Sequence, residues 1–163
     1  MKKKGHKPPV QHMKQPGLQS QMGDPKPTST QVPAEDSGYQ TYKAAGKLTG
    51  KRAIITGGDS GIGRAIAILF AMEGASSLLV HLPEEEKDAT ETKKRVQGIG
   101  QRCDSLAVDL RSKENCQKVV DTAMRCLGGI DILVNNAAYQ NMVDDIRDLD
   151  EYVLSYTSFL LLS

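Results

Sequence analysis

The sequence contains no tryptophan, only two phenylalanines and no long apolar run. It therefore lacks the aromatic side chains from which broad base-stacking platforms are built. No stretch approaches the roughly 18 apolar residues that can span a bilayer. The formal net charge of +1 over 163 residues also argues against a dedicated nucleic-acid binder. We expect one domain with a modest core, and neither a nucleic-acid nor a membrane partner.

Signals for export, disulfide formation and metal binding are also missing. Lysines at positions 2 to 4 resemble the start of a signal peptide, but no apolar segment follows them. No arginine precedes Arg52, which argues against a mitochondrial leader. The three cysteines, Cys103, Cys116 and Cys126, are odd in number and lack metal-ligand spacing. The sequence thus predicts a reduced, cytoplasmic protein with three buried thiols and no metal site.

Charge and proline are unevenly distributed along the chain. Residues 1–47 hold eight lysines, three acidic residues and six of the seven prolines. The remaining chain has more acidic than basic residues. Such a polar, proline-rich segment cannot bury enough apolar surface to fold alone. We predict a flexible, disordered arm over residues 1–47, a half-domain over 48–140, and an incomplete helix of the same domain over 141–163.

From residue 51 onward, short β-branched runs alternate with helical patterns. Alternating strands and helices predict an α/β fold with a parallel sheet covered on both faces. Right-handed crossovers give the strand order 3-2-1-4, the N-terminal half of a doubly wound (Rossmann) sheet. The predicted strands are 53–56, 77–81, 105–108 and 130–134, and the predicted helices are 61–73, 84–97 and 112–127. The positions predicted to face inward are Ile62, Ala65, Ile66, Leu69 and Phe70 on the first helix, and Val119, Val120 and Ala123 on the third.

A glycine-rich turn joins the first predicted strand to the first helix. Gly57 lets the chain turn sharply, Gly61 lets the backbone approach a pyrophosphate, and Gly63 lets the helix pack closely. The N–H groups at the start of a helix bind anions. The turn therefore predicts a phosphate-binding site, whose candidate residues are Thr56, Gly57, Asp59, Ser60, Gly61, Ile62 and Gly63.

The pattern Thr-Gly-x-x-x-Gly-Ile-Gly resembles the cofactor motif of the short-chain dehydrogenase/reductase family. Asp109-Leu110 follows the third strand, where that family places an aspartate near the adenine. Asn135-Asn136-Ala137-Ala138 ends the fourth strand and is similar to the family's Asn-Asn-Ala-Gly, which steadies the sheet and faces the nicotinamide ribose. The resemblance implies that NAD or NADP is bound by the turn together with Asp109, Leu110, Asn136, Ala137 and Ala138.

A narrower resemblance extends into the arm. Gln15-Pro16-Gly17, Tyr42-Lys43, Gly58-Asp59-Ser60 and Leu82-Pro83-Glu84-Glu85 resemble the arm-bearing, glucose/ribitol dehydrogenase-like subgroup of the family. That resemblance implies NAD(P)-dependent oxidation of an alcohol group on a sugar or polyol.

The choice between NAD and NADP stays open. An acidic residue about 20 positions after the turn would favour NAD, but His81 ends the second strand there. Glu84 to Glu86 come slightly late and are interpreted as a solvated helix start. A basic residue before the second glycine would suit NADP, but Ser60 stands there, and Arg64 is interpreted as a surface residue. His81 remains a candidate for contact with the ribose 2′ position.

The catalytic groups of the family are not found in this sequence. The family's Ser and Tyr-x-x-x-Lys pair lie on and after a fifth strand, and the sequence ends before such a strand. Its one Tyr-x-x-x-Lys, from Tyr39 to Lys43, lies in the arm, so we assign no catalytic residue. The resemblance then implies a truncated cofactor-binding half, inactive alone and without the usual homotetramer. The alternative is a non-catalytic nucleotide-binding or subunit-interaction fragment.

Overall fold

A computed structural model describes residues 30–34 and 38–138 of the chain. Within this part, β1 (Gln31–Pro33) and β2 (Tyr39–Thr41) pair antiparallel. The next elements are β3 (Arg52–Thr56), α1 (Gly61–Met72), β4 (Ser76–His81), a 3-10 turn (Pro83–Glu85), α2 (Glu86–Gly98), β5 (Cys103–Ala107), α3 (Lys113–Leu127) and β6 (Ile132–Val134).

The strands β3 to β6 form a parallel sheet in the order β5-β4-β3-β6. This order confirms the predicted 3-2-1-4 arrangement and the α/β half of a doubly wound sheet. The helix expected within 141–163 lies outside the described residues.

The central strands β3 and β4 are buried on both faces, which explains their continuous apolar runs. Successive side chains of a strand point to opposite faces. Ile55 and Leu79 accordingly pack with α1, whereas Ile54 and Leu78 belong to the cluster that includes α3. The sheet therefore lies between two helical layers, and its strand ends are held in fixed positions.

The buried face of α1 differs from the prediction. Gly63, Ala67 and Ala71 line the inward face together with Ile68, whereas Ile62 is 73% exposed. Small residues spaced four apart let the helix approach the sheet closely, so the larger apolar residues lie at its flanks. The other positions predicted to be inward on α1, Ala65, Ile66, Leu69 and Phe70, are half-buried.

Two further burial predictions are wrong in part. On α3, Val119 and Ala123 are buried as predicted, but Val120 is 42% exposed, because it lies one position off the inward stripe. Among the cysteines, Cys103 is buried and burial raises the pKa of its thiol to about 11. Cys116 is exposed and Cys126 is half-buried, so the prediction of a buried thiol is confirmed only for Cys103.

Part of the segment predicted to be a flexible arm is folded against the domain. The buried carboxylate of Glu73, at the end of α1, accepts hydrogen bonds from the Tyr42 hydroxyl and from the backbone N–H groups of Ala45 (3.2 Å) and Lys47 (2.7 Å). The Tyr42 hydroxyl, and then the Lys47 N–H, lower the pKa of Glu73. The segment is thus ordered by a carboxylate of the domain and not by a core of its own.

We expect replacement of Glu73 by leucine to release this segment, because Tyr42, Ala45 and Lys47 would lose their shared acceptor. Trypsin cleavage after Lys43 should accelerate by about tenfold, since proteases cut locally opened chain. Mass spectrometry of timed digests measures the rate. Glu91→Leu, at an exposed position on α2, is the control. Equal cleavage rates in the two variants would contradict the anchoring role of Glu73.

The last described strand is fixed to the sheet by a side-chain clamp. Asp131, just before β6, accepts from the backbone N–H of Arg52 (2.9 Å) and from its Nε (2.8 Å) and Nη2 (3.0 Å). These hydrogen bonds lower the pKa of Asp131 to about 2. The clamp aligns β6 with β3, so the carboxyl ends of both strands lie at one edge.

Candidate functional site

The two sequence motifs meet at the carboxyl edge of the sheet. The glycine-rich turn follows β3, and Asn135 to Ala138 follow β6. The two strands are paired, with Ile55 opposite Val134. Because parallel strands end at the same edge, and ligands of doubly wound folds bind there, this edge is the candidate site.

Thr56 links the two motifs through one hydroxyl group. Its Oγ1 accepts from the backbone N–H groups of Asn136 (2.9 Å) and Ala137 (2.9 Å), and donates to the carbonyl oxygen of Val134 (3.1 Å). The hydroxyl thus uses its proton and both lone pairs. Thr56 therefore fixes the chain that follows β6 against the start of the turn.

Asn136 provides the second link. Its Nδ2 donates to the carbonyl oxygens of Thr56 (3.0 Å) and Gly57 (3.0 Å). A Cβ on Gly63 would overlap the Gly57 carbonyl oxygen and would lie 2.7 Å from Asn136 Nδ2. The absence of a side chain at Gly63 is what allows helix, turn and asparagine to pack together.

The start of α1 is shaped to receive an anion. Gly57 and Gly61 have φ values of +61° and +52°, in the left-handed region that favours glycine. A Cβ on Gly61 would meet nothing within 4 Å, so open space lies above the turn. The Ser60 side chain makes no capping hydrogen bond, and no acidic residue lies in the first helical turn. The first turn itself therefore offers no acidic side chain to offset the positive end of the helix dipole.

Arg64 is not the surface residue that its position in the sequence indicated. It is 3% exposed, and its guanidinium donates to the carbonyl oxygen of Asp59 and to Thr92 and Asp88 of α2. Asp59 itself is 3% exposed. Arg64 shares the inward side of α1 with Ile68, and its charge is tolerated there because it is paired and hydrogen-bonded. Periodicity could not reveal this, because it classifies every arginine as outward.

The last residue of β4 and the residues that follow it also differ from the prediction. The His81 side chain is completely buried, with Nδ1 2.8 Å from the carbonyl oxygen of Leu82. The predicted contact between His81 and a ribose 2′ position therefore has no exposed side-chain atom to make it. Glu85, predicted to be solvated, is half-buried and accepts from the Leu82 N–H (2.9 Å). Burial raises the pKa of Glu85, and the nearby Asp59 carboxylate raises it further.

Asp109 and Leu110 follow β5, at the far end of the same edge. The Asp109 carboxylate accepts from the backbone N–H (3.0 Å) and Nε (2.8 Å) of Arg111, and these hydrogen bonds lower its pKa. The backbone carbonyl oxygen of Asp109 accepts a hydrogen bond from Asn115 Nδ2 (2.8 Å). Leu110 is half-buried and packs on the α3 side of the core. The candidate residues therefore extend along the edge from β5 to β6.

Tyr39 and Lys43 do not form a catalytic pair in this structure. Tyr39 lies on β2 and is 74% exposed, and Lys43 follows the same strand. The Tyr-x-x-x-Lys pair of the family has to share one face of a helix, where residues four apart are neighbours. An extended chain separates them instead, which agrees with assigning them no catalytic role.

Across residues 30–34 and 38–138, no helix is long and apolar enough to cross a membrane. In the same part of the chain, no three histidine, cysteine or acidic side chains are grouped so that they could hold a metal ion.

Comparison with known proteins identifies relatives over most of the chain. It is 44% identical over 144 residues to general stress protein 39 of Bacillus subtilis, covering 88% of this chain and 47% of that protein. The chain is also 44% identical over 151 residues to the glucose and ribitol dehydrogenase homolog of Oryza sativa subsp. japonica. That match covers 88% of this chain and 47% of the homolog. The chain thus spans about half the length of these curated relatives.

Solved structures share the fold. L-sorbose reductase from Gluconobacter frateurii, complexed with NADPH and L-sorbose, matches with a TM-score of 0.62 and 35% identity, over 71% of this chain and 43% of that one. NAD⁺-bound xylitol dehydrogenase matches with a TM-score of 0.63 and 28% identity. That match covers 71% of this chain and 44% of the xylitol dehydrogenase chain. The family model for short chain dehydrogenase matches residues 51–155. The chain belongs to the short-chain dehydrogenase family, whose members are oxidoreductases.

Proposed function

We propose that this chain forms the dinucleotide-binding half of an NAD(P)-dependent short-chain oxidoreductase. The observation that carries the proposal is the turn between β3 and α1, which Thr56 and Asn136 tie to the end of β6. An uncapped helix start with open space above it suits a pyrophosphate. When bound, the nicotinamide supplies hydride chemistry.

The order of the strands predicts how the dinucleotide would lie along the edge. Its pyrophosphate would be held by Ser60, Gly61 and Ile62 at the start of α1. The adenosine half would extend towards β5, where Asp109 and Leu110 lie, and the nicotinamide half towards Asn136, Ala137 and Ala138 after β6. The choice between NAD and NADP remains open in this proposal.

For the substrate, we propose an alcohol group of a sugar or polyol. The support is the similarity to a glucose and ribitol dehydrogenase homolog and to a reductase solved with L-sorbose. We also propose that this chain alone does not turn over substrate and does not form the usual homotetramer. Tyr39 and Lys43 are on an extended segment, and no described residue beside the site pairs a tyrosine with a lysine on one helix.

The domain assignment is part of the same proposal. Residues 48–140 would be the cofactor half-domain, residues 1–47 an arm anchored through Tyr42, and residues 141–163 a continuation of the half-domain. The free thiols of Cys103, Cys116 and Cys126 are typical of a reducing compartment, and we place the protein in the cytoplasm.

The proposal is tested by titrating the full chain with NADH and with NADPH and measuring the heat of binding by calorimetry. We expect binding that Gly61→Arg abolishes, because the new side chain would fill the open space above the turn. Gly50→Arg is the matched control: Gly50 also has a positive φ (+73°) and open surroundings, but it precedes β3 at the opposite edge of the sheet. That control should bind as the wild type does.

Failure of the folded wild-type chain to bind either dinucleotide would contradict the proposed function. Equal losses in the two arginine variants would locate binding elsewhere. Reduction of NAD⁺ or NADP⁺ by this chain with ribitol or glucose would contradict the proposed inactivity. Binding without turnover fits the main proposal and also its alternative, a non-catalytic nucleotide-binding fragment. Leu133 on β6, 55% exposed, favours a subunit-interaction role for such a fragment.

A further inference from the structure

The carbonyl oxygen of Asp59, in the middle of the glycine-rich turn, accepts three hydrogen bonds from buried side chains. Arg64 donates to it from Nε (3.0 Å) and from Nη2 (2.8 Å), and Thr92 donates from Oγ1 (2.7 Å). A carbonyl oxygen has two lone pairs, so three donors saturate it. The direction of this carbonyl is therefore strongly fixed.

Arg64 is itself held from α2. Its Nη2 also donates to the carbonyl oxygen (3.1 Å) and to Oδ1 (3.2 Å) of Asp88, and its Nε donates to Thr92 Oγ1 (2.7 Å). The side chains of Arg64 and Asp88 are each 4% exposed. Such a buried ion pair is weak evidence for stability. The hydrogen bonds of Arg64, however, link the turn to α2. The Arg64 side chain is too deeply buried to touch a ligand itself.

The fixed carbonyl determines where the next N–H points. In a trans peptide the C=O and the N–H lie on opposite sides. Because the Asp59 carbonyl points into the buried cluster, the Ser60 N–H points away from that cluster. The Ser60 carbonyl oxygen accepts the first helical hydrogen bond, from the Arg64 N–H (3.0 Å). The two peptides flanking Ser60 are thus oriented by Arg64 on both sides.

We propose that Arg64 is a positioning residue for pyrophosphate recognition. It holds the Asp59–Ser60 peptide so that the Ser60 N–H faces the pyrophosphate, and it does so without contacting the ligand. A turn ordered in advance does not have to be ordered when the ligand binds, which strengthens binding. This inference rests on the proposed dinucleotide function, and it assigns a role to a residue behind the glycine motif.

The test compares ADP-ribose, which contains the pyrophosphate, with adenosine, which does not. Affinities of the full chain for both are measured by NMR titration. We expect Arg64→Met to weaken ADP-ribose binding about tenfold, the effect of one well-placed hydrogen bond to a charged group. Adenosine binding should change less than twofold. Arg95→Met on the exposed side of α2 is the control and should change neither affinity.

Equal losses for ADP-ribose and adenosine would show a merely structural role and overturn the inference. Unchanged ADP-ribose binding in folded Arg64→Met would overturn it too. A wild-type chain that binds neither ligand would contradict the proposed function itself and the inference with it. If Arg64→Met does not fold, Thr92→Val decides, since it removes one donor to Asp59 and keeps the buried shape. A selective, about threefold loss of ADP-ribose affinity supports the inference, and no selective loss overturns it.

Discussion

Replacing Gly63 by alanine should abolish dinucleotide binding and lower the free energy of unfolding by about 3 kcal/mol, the upper part of the usual range for overpacking. The added methyl group would overlap the carbonyl oxygen of Gly57 and would lie 2.7 Å from Asn136 Nδ2. The first of these is a backbone atom, which no rotamer change can move away. Relief requires α1 to shift away from the turn, and that shift separates the helix start from the glycine motif.

Urea unfolding and titration with ADP-ribose measure the two effects. Gly98→Ala is the matched control, because Gly98 is also helical and its added Cβ would meet nothing within 4 Å. That change should be neutral or stabilising by up to about 1 kcal/mol, since alanine favours the helix. A Gly63→Ala chain as stable as Gly98→Ala, with ADP-ribose binding intact, would refute the packing described between α1 and the turn.

The sheet and its glycine motif were predictable because local patterns determine them. Short apolar runs separated by helical segments specify a parallel sheet, and the handedness of crossovers leaves few strand orders. Gly57, Gly61 and Gly63, which lie where a strand meets a helix, predict the turn between β3 and α1. Each of these signals lies within a few consecutive residues, so no knowledge of distant contacts is needed.

The missed features depend on pairs that are far apart in sequence. Glu73 orders the segment around Tyr42, 31 positions earlier, and Arg64 meets Asp88, 24 positions later. An isolated glutamate or arginine gives no sign that a buried partner exists, and the average preference of both residues is the surface. The cluster Arg64, Asp88 and Thr92 does show a partial signal, since positions 88 and 92 lie four apart on one helix face.

The inward face of α1 was missed for a different reason. The prediction followed the largest apolar side chains, but the contact with the sheet is made by Gly63, Ala67 and Ala71. Small residues carry little hydrophobic signal, yet they allow the closest approach of backbone to backbone. The same close approach brings Gly63 against Gly57, so the packing of the helix and the shape of the site have one cause.

Asn136→Asp should lower the free energy of unfolding by roughly 3 kcal/mol at pH 7, because a half-buried donor is replaced by a charged group that can only accept. Asn136 Nδ2 donates to the carbonyl oxygens of Thr56 and Gly57, and a carboxylate would face both of them with negative charge. Those carbonyl oxygens disfavour ionisation, so they would raise the pKa of the new carboxyl above its unfolded value. The destabilisation should therefore shrink as the pH falls through that raised pKa, where the protonated carboxyl can donate again.

Urea unfolding of this variant at pH 7 and pH 5 measures both the loss and its recovery. The neighbouring Asn135 supplies the matched control: it is exposed at the same strand end, and Asn135→Asp should cost less than about 0.5 kcal/mol at either pH. Dinucleotide affinity should fall at least tenfold in Asn136→Asp at pH 7, since the turn loses its link to β6. Equal stability losses at the two positions, or no recovery at pH 5, would show that the Asn136 amide does not hold the turn and the sheet together.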